Sequence, residues 1–234
     1  MSLIAIRKEI LKEKNPSQAI ILQRFFKTGK GEYGEEDVFY GIKVPVQRKI
    51  AKTFCDLSLS DIKNLLRSAI HEERLIAALI LVHQFKFADD KRQKIIFNFY
   101  LKNRKGINNW ELVDLSAPNI IGSFLFDKDK TLLYKFAHSK NLWKKRISIL
   151  SSLTFIRNGF FEDTLKIAEI LLTDTHDLIH KAAGWMLRET GNRDIKVEEE
   201  FLMKYYKIMP RTMLRYAIEK FPEKKRKAYL LGKI

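Results

Sequence analysis

The stretch 180-HKAAGWMLR-188 reads as a helix opened by a cation: Ala182, Ala183, Met186 and Leu187 fall on one face, with Lys181 just ahead of them. Three other stretches follow the same plan, 73-ERLIAALIL-81, 145-KRISILSSL-153 and 214-LRYAIEKFP-222. Their leading cations, Arg74, Arg146, Lys181 and Arg215, lie 72, 35 and 34 residues apart, and the first gap is twice 36. The apolar segment 108–122 fills that gap.

Outward from these stretches the pattern stays helical, with apolar residues at i, i+3, i+4 and i+7 and no convincing alternation over strand length. About fourteen helices are legible between residues 2 and 231. Asn15-Pro16 marks one start and Ser60-Asp61 another. A period of about 35–40 residues with two helices per unit predicts an all-α protein, a HEAT-like α-α superhelix or solenoid, because one helix pair cannot bury its apolar stripe alone and must stack. In such an array the second helices line the concave face. Since these open with cations, the expectation is a basic concave groove wide enough for a duplex. The chain is expected to form a single repeat domain over 1–234, with N-terminal helices and a lid-like loop in 1–45 and the repeats in 46–234.

The loop departs from the repeat. Residues 27-KTGKGEYGEEDVFYGIKVP-45 carry four glycines, several aromatics and an acidic cluster, Glu32, Glu35, Glu36 and Asp37. A connection of this length is more often a lid or a binding loop than idle chain. Its glycines lack the G-x-x-x-x-G-K-[ST] spacing and do not sit between a strand and a helix, so a P-loop is not expected. Gly41 and Pro45 shape the start of the next helix, with Arg48 in its first turns.

Charge narrows the class. Forty-four Lys and Arg against 28 Asp and Glu leave a formal net charge of +16 over 234 residues, the footprint of a protein that meets a polyanion. No segment reaches the roughly 18 apolar residues of a membrane span. The charged N-terminus reads as an amphipathic helix and not as a secretory signal. The single cysteine, Cys55, excludes an intramolecular disulfide framework and suits a reducing, cytoplasmic compartment. The five histidines, His71, His83, His138, His176 and His180, form no ligand spacing, so neither metal nor cofactor is expected.

Within 109-NWELVDLSAP-118 a helix places Trp110 and Asp114 one turn apart on the same face. Arg146 and Trp185 lie on later second helices and are expected to converge with Asp114 in one cleft. The bland alternative is packing, with the tryptophans in the core and Asp114 paired to Arg146.

The runs FYGIKVPVQRKI, NNWELVDLSAPNIIG, LWKKRISIL and IHKAAGWMLRETG resemble the AlkD-type DNA alkylation repair proteins, from about residue 16 to 221. That resemblance implies an all-α HEAT-like DNA glycosylase acting on positively charged N3- and N7-alkylated purines in double-stranded DNA. Carried over residue by residue, it implies Asp114 as catalytic carboxylate, Trp110 and Trp185 as aromatic walls, and Arg146 on the phosphate side. Arg48, Arg74, Lys181, Arg188, Arg211 and Arg215 join Arg146 as expected DNA-binding cations. Phe25 stands where the family leads one to expect a tyrosine. Three functions stay open: a monomeric glycosylase of base excision repair, a non-catalytic member that binds branched or distorted DNA, and a HEAT scaffold for an acidic protein.

Overall fold

A computed structural model describes residues 1–35 and 37–234; Glu36, one of the four acidic loop residues, lies outside the described residues. The described residues are all-α, with no strand and one isolated parallel bridge, Val38 to Ile70. None of their helices is long and apolar enough to cross a membrane. The chain divides into two compact units, 1–120 and 121–234.

In the first unit the helices are α1 (Leu3–Lys12), α2 (Pro16–Phe25), α3 (Val44–Thr53), α4 (Leu59–Leu66), α5 (His71–Lys86), α6 (Asp90–Asn103) and α7 (Trp110–Ala117). Their starts follow local chemistry. The Asn15 side chain accepts from Gln18 N at 3.0 Å with Pro16 at the first helical position. The next expected start shifts by two residues: Ser58, not Ser60, caps α4, its Oγ accepting from Asp61 N at 3.1 Å. Helix α5 is the hub. It packs against α3, α4 and α7, and Leu75 through Leu81 are all buried.

The first turn of α5 is buried as well, although it reads His71-Glu72-Glu73-Arg74. Glu72 resolves its own burial by accepting three backbone N–H groups, from Tyr40, Gly41 and Ile42, at 2.8–3.1 Å. Glu73 accepts from Arg7 of α1 at 3.1 Å. Residues 37–42 are thus laid across the start of α5, where Val38 O also accepts from His71 N.

The second unit contains α8 (Ser123–Leu125), α9 (Thr131–Ala137), α10 (Leu142–Ser151), α11 (Leu153–Arg157), α12 (Glu162–Ile170), α13 (Asp177–Gly191), α14 (Ile195–Tyr205), α15 (Arg211–Ala217) and α16 (Glu223–Leu231). The helical stretch read at 145–153 is divided at Ser152. Ser151 and Ser152 are buried and turn their hydroxyls onto Ile147 O and Ile149 O at 2.6 and 2.7 Å, and such back-bonding bends a helix. The expected stacking of second helices holds here: α10 packs on α13, and α13 on α15. At the α13–α15 contact a Cβ on Gly184 would lie 2.4 Å from Met213 O, so glycine alone permits that approach.

Candidate active site

Asn109 starts the helix that carries the candidate carboxylate. Its Oδ1 accepts from Glu111 N, and its Nδ2 donates to Asp37 Oδ2 at 3.0 Å. Trp110 and Asp114 follow on α7, both half-buried and one turn apart as the spacing requires. Opposite them on the helix, Leu112, Val113, Ser116 and Ala117 are buried. A π-helical turn, Pro118–Gly122, succeeds α7. Residue 118 would ordinarily donate its N–H to the carbonyl of Asp114; proline has none, which favours the wider turn.

The indole of Trp110 is held on two sides. Phe26 stacks on it with ring centroids 5.0 Å apart and planes 16° from parallel, and Phe25 meets it edge-on at 5.9 Å. Its Nε1 donates to the hydroxyl of Tyr33 at 3.1 Å. The stack continues from Phe26 to Phe39 at 5.0 Å and from Phe39 to the His71 ring at 4.6 Å. Near Asp114, the buried Tyr100 hydroxyl lies 2.9 Å from Ser116 Oγ. Burial drives the Tyr100 phenol far above its ordinary range, the bond to Ser116 opposes this, and the charge of Asp114 adds to the rise.

Beneath the aromatic stack is a buried charged cluster. His71 Nδ1 is 3.1 Å from Asp37 Oδ2, and Nε2 is 3.0 Å from Glu111 Oε2. Burial opposes a charge on this imidazole, yet the hydrogen bonds to Asp37 and Glu111 and the charge of Glu111 outweigh it, and the pKa is raised. Asp37 behaves conversely: burial would raise its pKa, but the His71 hydrogen bond and the Arg74 cation hold it below the ordinary carboxylate range. Arg74 donates to Asp37 and to the carbonyls of Ser68 and Ala69.

Arg74, expected among the DNA-binding cations, is 4% exposed, and its two terminal nitrogens serve the buried cluster. Arg146, in the second unit, is also buried, at 5% exposure, and its Nη1 donates to Leu178 O at 2.5 Å. The recurring leading cation is therefore not one row of solvent-facing charges. Lys181 is half-exposed and pairs with Asp177 at 2.7 Å, while Arg215 is exposed. Arg188 pairs with Glu219, Arg211 donates to Leu230 O at 2.9 Å, and Arg48 is exposed on α3. Trp185 is half-buried on α13, its Nε1 donating one turn onward to Glu189 Oε1 at 3.0 Å.

The acidic loop also differs from a free charged lid. Glu32 and Glu35 are exposed but accept from Gly29 N and Gly31 N at 2.9 Å each, closing turns within the loop. Asp37 is buried. Sequence reasoning missed the cluster because Asp37, His71, Arg74, Asn109 and Glu111 are scattered over 75 positions. The available signal was the charged quartet 71–74 opening a helix that is otherwise almost continuously apolar. Among the described residues, no group of three or more His, Cys, Asp or Glu is arranged to hold a metal ion.

Comparison with known proteins bears on this geometry. A family model described as DNA alkylation repair enzyme matches residues 6–221. No curated protein matches the chain. A solved structure titled as a predicted DNA alkylation repair enzyme from Enterococcus faecalis superposes with a TM-score of 0.72 at 17% identity, covering 90% of this chain and 98% of that one. At that identity the likeness establishes a shared all-α fold.

Proposed function

Because the chain belongs to the DNA alkylation repair enzyme family, we propose that it is a DNA glycosylase, hydrolysing the N-glycosidic bond of positively charged N3- or N7-alkylated purines in duplex DNA. The observation that carries this reading is the pairing on α7 of a half-buried carboxylate, Asp114, with an indole clamped one turn away, Trp110.

An alkylpurine cation is already a good leaving group. As the C1′–N bond breaks, its electron pair neutralises the base and positive charge develops on the sugar. A fixed carboxylate stabilises that oxocarbenium-like sugar, as glycosidases do against the same kind of transition state. Water then adds to C1′ and gives up its proton to Asp114 or to solvent. The face of Trp110 attracts the cationic lesion by its quadrupole. Phe26 and Tyr33 hold the ring in place, so its orientation needs no rearrangement on binding. Trp185 and Arg146 enter this reading through the resemblance of their sequence runs.

The test is release of free base from methylated duplex DNA by wild type and by Asp114→Asn. The variant should lose about 10²–10³-fold in release rate while keeping DNA affinity within about twofold. Unchanged release would sink the mechanism. A second reading, binding of distorted DNA without excision, is favoured by one observation: Tyr33 and Phe25 already occupy the edge of Trp110. Salt-sensitive duplex binding by wild type with no base release would select it.

A further inference from the structure

Beside the start of α7, the first unit contains an open cleft of about 350 Å³. One wall is the turn after α4, with Arg67, Ser68 and Ala69; the other is the segment Lys105, Gly106 and Asn108 just ahead of α7. Arg74 and Asp37 line it as well. The two walls meet closely, since a Cβ on Gly106 would fall 2.1 Å from Leu66 O.

The charges in this cleft are unbalanced. Arg67, Arg74 and Lys105 face a single carboxylate, Asp37. Both oxygens of that carboxylate are already engaged, Oδ1 by Arg74 and Oδ2 by His71 and Asn109. Arg67 and Lys105 are exposed and form no ion pair with a described residue. The guanidinium of Arg74 has Nη1 and Nη2 satisfied, but its buried Nε has no acceptor among the described residues. Asn108 Oδ1 is also buried and unpaired, and a half-turn of that amide exchanges the acceptor for two donors. A buried donor without an acceptor is destabilising, and an anion in the cleft would relieve it.

We propose that this cleft is a phosphate subsite, gripping a backbone phosphodiester of the bound nucleic acid between Arg67 and Lys105. This rests on the DNA-processing reading above and adds a register to it. Asn108 immediately precedes the cap of α7, so a phosphate fixed here is fixed relative to Trp110 and Asp114. Arg67 supplies a planar fork for two phosphate oxygens and Lys105 a point charge. Phosphate contacts of this kind position a duplex and carry no sequence information. A free phosphate would satisfy the same chemistry.

The experiment measures binding of a short unmodified duplex over a salt series for wild type, for Arg67→Ala/Lys105→Ala, and for Lys91→Ala/Lys94→Ala, an exposed pair on α6. Inorganic phosphate is titrated in parallel while the amide resonances of Ser68, Gly106 and Asn108 are followed. The cleft variant should bind the duplex about tenfold more weakly, with a slope of log K against log salt shallower by about two, while the α6 variant matches wild type. Equal loss in both variants, or none in the cleft variant, overturns the subsite. If wild type binds no duplex but phosphate shifts those amides in a way the cleft variant abolishes, the subsite stands with free phosphate as its ligand and the DNA reading falls. Absence of both kinds of binding overturns both.

Discussion

The indole Nε1 of Trp110 donates to the hydroxyl of Tyr33, 3.1 Å away and 77 residues earlier in the chain. The loop that interrupts the helical repeat is thereby tied to the residue that stands one turn from Asp114. Tyr33→Phe removes the hydroxyl that accepts from the indole and keeps the ring. The expected stability cost is about 1 kcal/mol, the net worth of one hydrogen bond. The indole N–H resonance of Trp110 should move, and single-turnover base release should slow several-fold with duplex affinity unchanged. If release and resonance both stay put, the tether has no part in positioning the indole.

His71 and Glu198 both make the protein lose stability as pH rises. The folded pKa of His71 is raised above its ordinary 6.5, so its contribution is fully present below about 6.5 and is lost as pH rises through the folded value. In the second unit, burial and then the charge of Glu199 push Glu198 up to about 8 from 4.5, with Arg188 and Lys225 opposing. The folded state there keeps a proton that the unfolded chain releases, so stability falls between about 4.5 and about 8, by up to about 1.4 kcal/mol per pH unit. Urea midpoints at pH 5 and pH 8 separate the two groups. Glu198→Gln should gain on wild type as pH rises, and His71→Gln should be less stable than wild type at pH 5 with a smaller deficit at pH 8. Curves parallel to wild type at both pH values would remove these groups as the source.

Gly184→Ala sets two known effects against each other. Alanine is the better helix former by about 1 kcal/mol. Its Cβ, however, would sit 2.4 Å from the carbonyl oxygen of Met213 and 2.6 Å from Tyr216 Cβ, which forces α13 and α15 apart. Overpacking of this kind costs about 1–3 kcal/mol, so the variant should be net destabilised and its melting temperature should fall. A rise would mean the two helices separate freely.

What could be read from residues alone follows the range of the interactions. Periodicity and caps act within a turn or two, so the all-α class, the Asn15-Pro16 start and the stacking of the helices bearing Arg146, Lys181 and Arg215 were legible. Trp110 and Asp114 were legible as neighbours for the same reason. Side-chain partnerships across 34–77 positions were not. Asp37 looks like one more member of an acidic surface run, and Arg74 like one more leading cation. Each was misplaced because its partner is remote in sequence, and burial is decided by the partner. Ser152 dividing a helix that the apolar pattern carries through shows the converse, a local hydroxyl overriding a longer-range stripe.

Glu72 has a consequence for how the first unit holds together. It draws the N–H groups of Tyr40, Gly41 and Ile42 onto one carboxylate, while Arg7 binds Glu73 and Asp37 binds His71, Arg74 and Asn109. The opening segment is therefore not a terminal layer that can be peeled away. Cut at the exposed stretch 30–32, the chain would leave Arg7, Phe25 and Phe26 on one piece and their partners Glu73 and Trp110 on the other, and the two pieces would behave as halves of a reconstituting pair. Deleting residues 1–42 outright would strip the hub helix of the groups that neutralise it, so that stretch is foundation and not ornament.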